Sequence, residues 1–213
     1  MSDGILMCGD SITALFADEV LEKIERVEKN IKIVSVCSVS TASFLLEDKK
    51  ELFYLLKNNW SQKEIEECIQ KNIIKGEMPQ KIEICGTDIK HQSPVIFKKD
   101  FPKEQIRKFG KDDIVLSQVY YPFFHKAYSA CDNIFGDSTI IPFAPFFPIS
   151  RTGAKSSIVV TFLEEHPISP YSVAINSLAK ENAKKAKLHI NIKTPNTNNF
   201  EEFRNEILKQ III

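Results

Sequence analysis

GILMCGDSITAL, residues 4–15, reads as a short buried strand over positions 5–8, a tight turn at Gly9-Asp10-Ser11, and the opening of a helix. Ala14, Leu15, Ala17, Val20, Leu21 and Ile24 follow at the spacing of one helical face. Such a turn lifts its side chains above the carboxyl edge of a parallel sheet. It also sets them at a helix N-terminus, where unpaired backbone N–H groups favour negative charge. Ser11 stands at that place. It can serve as a nucleophile whose own N–H helps hold a developing oxyanion. It can equally be a plain N-cap, a position that serine prefers.

Working outward, residues 31–37 (IKIVSVC) give a second apolar, β-branched strand, followed by a turn of small residues, Ser38 to Thr41. Strand, helix, strand with no hairpin signal is a βαβ unit, so the sheet is expected to be parallel. Residues 44–57 read as helix. Ser61 and Glu64 form a capping box for a helix with Ile65, Cys68, Ile69 and Ile73 on one face. Residues 81–85 alternate like a half-buried strand. The charged, punctuated range 57–110 reads as an insertion or lid on one α/β domain spanning 1–213. Further on, 103–109 reads as a short helix, 112–118 as a core strand and 120–128 as an aromatic loop. A short strand at 138–143 and a Pro/Phe-rich loop at 144–149 follow. Residues 157–162 and 188–192 read as strands, and 169–185 and 199–213 as helices.

The bulk composition narrows the partners. Lys and Arg total 28 against 28 Asp and Glu, so no net field favours nucleic acid or an anionic membrane. The five cysteines form no CxxC pair, and Cys8, Cys37 and Cys85 lie in strand-like runs, which favours a reducing, cytoplasmic setting. No secretory signal and no membrane-spanning run is visible. No His/Cys/Asp cluster has metal-ligand spacing, and there is no Gly-rich phosphate loop. The basic run of Lys98, Lys99, Lys103, Arg107, Lys108 and Lys111 is either a solvated helix face or a contact for cofactor phosphates.

A serine nucleophile needs a base. His189 falls inside a strand pattern. His91 closes a D-x-x-H spacing with Asp88, in which a carboxylate can hold an imidazole. His125 lies in the aromatic stretch with Tyr120, where both can contact substrate. His166 follows the 157–162 strand and should leave the same sheet edge as Ser11, with Glu164 and Glu165 beside it to orient the ring. Oxyanion donors are sought in the Ser11 N–H, the backbone around Ser38 to Ser40, and the Gln118 side-chain amide. The bland alternatives are a loop histidine, solvated glutamates and an edge glutamine.

Gly9-Asp10-Ser11-Ile12-Thr13 resembles the first conserved block of the SGNH/GDSL hydrolase superfamily, and His166-Pro167 before a helix resembles its last. Asp113-Ile114-Val115-Leu116-Ser117-Gln118 and Ile140-Ile141-Pro142-Phe143 add a likeness to the WcbI-like polysaccharide biosynthesis proteins. The resemblance implies a three-layer α/β/α sandwich with a mainly parallel, flavodoxin-like sheet. It implies ester hydrolysis or acyl transfer on a carbohydrate or other small acylated substrate, with acyl-CoA as a candidate donor and no other cofactor required. Carried over by position, Ser11 is the nucleophile, His166 the base, and Gln118 stands for the third-block asparagine. Asp10 and Ser40 fall in the first two oxyanion-forming turns. Leu163 occupies the place three before His166, so Glu164 or Glu165 takes the carboxylate's role. Two other readings stand beside this one: a catalytically inactive binding module on the same fold, and a flavin-binding decarboxylase-like protein, faintly suggested by Ser11 to Ala14 and Cys131-Asp132-Asn133.

Overall fold

The computed structural model describes residues 4–9, 11–58, 61–97, 110–124, 128–130, 133–137, 146–154, 157–163 and 186–212, with single positions 173, 177, 180, 181, 183 and 184. The first strand, β1 (Gly4–Cys8), is buried along its whole length, as a central parallel strand should be. It pairs in parallel with β2 (Ile33–Val36) on one side and β7 (Ser157–Leu163) on the other. Beyond β2 lies β3 (Ile82–Asp88), and beyond β7 lies β8 (Leu188–Lys193), both parallel.

Three antiparallel strands extend the β3 side: β4 (Ser93–Ile96) and β6 (Asn133–Asp137) both pair with the end of β3, and β5 (Tyr128–Ala130) pairs with β6. The five parallel strands therefore run in the order β3-β2-β1-β7-β8. A flavodoxin-like order would place the first strand between the second and third parallel strands. Here the third lies outside the second, because the chain keeps winding in one direction from β1 to β3 before it crosses back to β7.

Helical segments cover both faces. On one face, Ile5, Met7, Val34, Val36, Ile158, Val160 and Phe162 join the main core. That core is closed by a 3-10 turn (Ile12–Phe16) running into α1 (Ala17–Val27), and by α2 (Ser40–Leu45), α3 (Lys50–Lys57), α4 (Gln62–Asn72), α5 (Lys111–Phe124) and α7 (Phe200–Lys209). On the other face, Leu6, Cys8, Ile33, Cys37 and Val159 meet Ile149 of α6 (Phe147–Arg151) and the helical position Ala183. Among the described residues no helix is long and apolar enough to cross a membrane.

The capping box at Ser61 forms as expected, and Asn199 caps α7 in the same way through the Glu202 N–H. The range 57–110, read as an insertion or lid on the one domain, supplies β3 to the sheet and α4 to the main core. β3 is not half-buried as expected: every residue from Ile82 to Asp88 is buried. Residues 112–118 are helix α5, not a strand. A short apolar run has no period of its own. What settles it is Asp112 and Asp113 in the first turn, which favour a helix N-terminus, with Asp113 Oδ2 accepting the Gly110 N–H at 2.8 Å. Residues 44–57 likewise split into α2 and α3 at Leu46, which bridges to Ile73. The expected elements at 103–109 and 138–143, and most of 169–185, lie outside the described residues.

Candidate functional site at the carboxyl edge

Two turns leave adjacent parallel strands at the same edge and lean on each other. After β1, Gly9 packs so closely on β7 that a Cβ there would fall on the Phe162 carbonyl and lie 2.7 Å from the Phe162 Cβ. No other residue fits at this crossing. Its own carbonyl accepts the Val39 N–H of the turn after β2 at 3.2 Å. Ser38 opens that second turn in the left-handed region, at φ +59°, which a non-glycine residue adopts only when its surroundings impose it. Here the surroundings are Gln118, whose Oε1 accepts the Ser38 N–H at 3.2 Å.

Ser11 caps the 3-10 turn: its Oγ accepts the Thr13 N–H at 3.1 Å and pairs with the Thr13 hydroxyl. Its residue exposure is 1%. The hydroxyl is therefore already engaged twice within its own turn. Thr13 was not singled out from the sequence, although a threonine two places after an N-cap serine is the pattern that permits this pairing.

Gln118 does reach the site, from within helix α5 rather than from a strand end. It arrives as an acceptor. Its Nε2 donates to Ser117 Oγ at 3.3 Å, while its Oε1 takes up the Ser38 N–H, another of the candidate donors. Ser40, expected in the oxyanion-forming turn, opens α2. Its hydroxyl and those of Ser38 and Thr41 are buried without a hydrogen-bond partner among the described residues. An unpaired buried hydroxyl costs about 1–3 kcal/mol. Three of them within four residues make this turn an expensive place, and one rich in polar atoms.

Tyr120 belongs to α5, not to a loop. Asp10, His125, Glu164, Glu165 and His166 lie outside the described residues. The structure thus brings Ser11, Ser40 and Gln118 to one edge and, among the described residues, gives the Ser11 hydroxyl no partner other than Thr13. His189 is on β8, where Thr161 sits between it and Asn191. Thr161 donates to Asn191 Oδ1 at 3.0 Å, so His189 donates its Nε2–H to Thr161 Oγ1 at 2.8 Å. Burial pushes the His189 imidazole below its ordinary value. Asp88 and His91, read from the sequence only as a spacing, do meet, with 2.7 Å between Asp88 Oδ2 and His91 Nδ1.

Among the described residues no group of three or more His, Cys, Asp or Glu side chains could hold a metal ion. Cys8, Cys37, Cys68 and Cys85 are buried thiols. Burial, with Glu51 nearby, pushes Cys68 up to about 11, which keeps it a thiol at neutral pH.

Fold and edge together define an α/β protein with a mostly parallel sheet and a pair of buried, hydroxyl-rich turns where the first two parallel strands end. Compared with models of known protein families and with curated proteins, the chain matches none.

Proposed function

We propose that the chain is a serine-dependent esterase or O-acyltransferase of SGNH type, acting on acyl esters of a carbohydrate or glycan precursor, with acyl-CoA as the candidate donor. The observation that carries this reading is the register of β1 with β7. Cys8 stands opposite Thr161, so the turn bearing Ser11 and the carboxyl end of β7 at Leu163 lie on neighbouring strands at the same edge. Ligands of open α/β sheets bind at that edge, where the winding reverses direction, and here the reversal lies between β1 and β7. The strand order departs from the flavodoxin-like one, so the reading rests on edge chemistry rather than on topology.

In this reading Ser11 Oγ exchanges its contact with Thr13 for the acyl carbonyl carbon. An imidazole at the same edge takes the proton, for which the sequence offers His166 with Glu165 or Glu164 to orient it. The Ser11 N–H faces the developing oxyanion. The test is turnover of p-nitrophenyl acetate by wild type and Ser11→Ala, with acetyl-CoA binding measured alongside. A loss of about 10³-fold or more in Ser11→Ala is expected. Equal turnover by the two proteins would sink the nucleophile, and tight CoA binding without hydrolysis would favour transfer.

One observation favours a second reading, a binding module without catalysis: Ser11 is buried and its hydroxyl is held by its own turn. Under that reading acyl-sugar binding survives Ser11→Ala and no substrate is turned over.

A further inference from the structure

Three cysteines stand in one row across the sheet. Met7 pairs with Val36, and the Cys37 N–H continues that parallel ladder by donating to the Met7 carbonyl at 3.2 Å. The same pattern recurs at the next strand, where the Val34 N–H donates to the Lys81 carbonyl and Val34 is paired with Ile82. Cys37 is therefore level with Cys8. On its other side Val36 pairs with Ile84, which brings Cys37 level with Cys85. Side chains alternate along a strand, so the three thiols leave the same face of the sheet. It is the face opposite the main core, which takes Met7, Val36 and Ile84. Cys8 and Cys37 share the smaller apolar cluster there. All three cysteines are fully buried, at 0% exposure.

Neighbouring strands lie about 4.8 Å apart, within the Cα separations that a disulfide spans. Closing the bond needs the two Cβ atoms about 1 Å nearer than that spacing. Cys37 has room to supply the movement. It follows the last residue of β2, and Ser38 after it turns the chain through the left-handed region at φ +59°. Its sulfur already leans toward β1: Cys37 Sγ lies 3.8 Å from the Met7 carbonyl oxygen. Cys8 is therefore the favoured partner, and Cys85 the alternative. Buried thiols react only when the chain opens locally. The turn that directly follows Cys37 carries the hydroxyls of Ser38, Ser40 and Thr41, buried without a hydrogen-bond partner among the described residues. Opening returns those hydroxyls to water, which lowers its cost at this one place.

We propose that Cys8 and Cys37 are a redox pair, oxidised by a low-molecular-weight disulfide to a bond that ties β1 to β2 at the carboxyl edge. The Cys37 thiolate attacks one sulfur of the small disulfide, forming a mixed disulfide and expelling one small thiolate. The Cys8 thiolate then attacks the Cys37 sulfur, and the second small thiolate leaves. Two protein thiols are oxidised and one small disulfide is reduced to two thiols. The protons given up by Cys37 and Cys8 end on the departing thiolates. The bond joins the bases of the two turns that carry Ser11 and Ser38. It does not depend on the ester-chemistry reading above.

The test incubates the folded 213-residue chain with glutathione disulfide, quenches it in acid, then unfolds, alkylates and digests it without reductant. Mass spectrometry of wild type is expected to show five alkylatable thiols falling to three, with the peptides that hold Cys8 and Cys37 joined. Dithiothreitol should restore all five. Cys85→Ala is expected to close the same bond. Cys8→Ala should trap glutathione on Cys37, because the resolving thiol is gone. The wild-type peptide map decides the matter by itself even if a variant fails to fold. Five thiols retained by folded wild type overturn the proposal. So does a bond from Cys37 to Cys85 or Cys131 in place of Cys8, or glutathione that stays on wild-type Cys37. None of these outcomes bears on Ser11, so ester chemistry stands or falls on its own assay.

Discussion

The two faces of one sheet obey different physics. On the α1–α5 face, the alternate residues of β1, β2 and β7 enter a single apolar core that also takes Phe16, Phe53 and Phe203, whose rings meet at centroid distances of 5.0–6.3 Å. On the opposite face the same strands present Leu6, Cys8, Ile33, Cys37 and Val159, and their small cluster shares its rows with the polar Ser35 and Thr161. The first face carries the bulk of the apolar burial. The second tolerates buried polar groups where a neighbour satisfies them, as His189 and Asn191 satisfy Thr161. The contrast shows that a parallel strand buried on both sides need not be packed equally on both.

The sharpest way to break this comparison is truncation. Phe203→Ala removes a ring that contacts two others and should cost about 3–5 kcal/mol, whereas Leu6→Ala on the smaller cluster should fall near the lower end of the 2–5 kcal/mol range for such changes. Urea denaturation measures both, and equal losses would erase the distinction between the faces. Gly9→Ala comes next. The added methyl meets the Phe162 backbone, which cannot rotate away, so a cost of about 1–3 kcal/mol or more is expected in the same assay.

A pair of hydroxyl deletions sharpens the polar half of the contrast. Thr161→Val should lose about 1–2 kcal/mol because it leaves Asn191 and His189 without their shared partner. Thr41→Val removes a hydroxyl that has no partner among the described residues, and should be neutral or stabilising by up to about 1 kcal/mol. Thermal melts of the two variants should move in opposite directions or differ clearly in size. The smallest effect is electrostatic. With the His189 imidazole held below its ordinary 6.5, the unfolded chain binds more protons than the folded one as pH falls through that value. Stability should therefore drop on acidification below about pH 6.5, and His189→Asn should flatten that slope in a series of melts across pH 5–8.

Much of the parallel core was legible because its signals are local. The GILMC run, the Ser61–Glu64 box and the apolar runs at 31–37 and 157–162 each announce their element within a few residues. Residues 112–118 were not legible as helix, since four apolar or small positions in a row, Ile114 to Ser117, fit a buried strand equally well and only the acidic first turn argued otherwise. The antiparallel β5–β6 pair gave no alternation strong enough to read, and β3 looked half-buried because Glu83 suggests solvent, yet it is buried beside Ser35.

For the site, local signals alone place a serine at the opening of the first helix, at the sheet's carboxyl edge, and set Asp88 and His91 at a spacing able to join carboxylate to imidazole. Both facts are written in a few consecutive residues, within reach of local sterics and hydrogen-bond geometry. Packing between distant segments sets the rest: Thr13 engages the Ser11 hydroxyl, Gln118 arrives from a helix as an acceptor for Ser38, and β3 carries Asp88 past the carboxyl edge. Those depend on which strands lie side by side and how far each one runs. Burial across the whole sheet sets that outcome, and no single stretch of chain contains it.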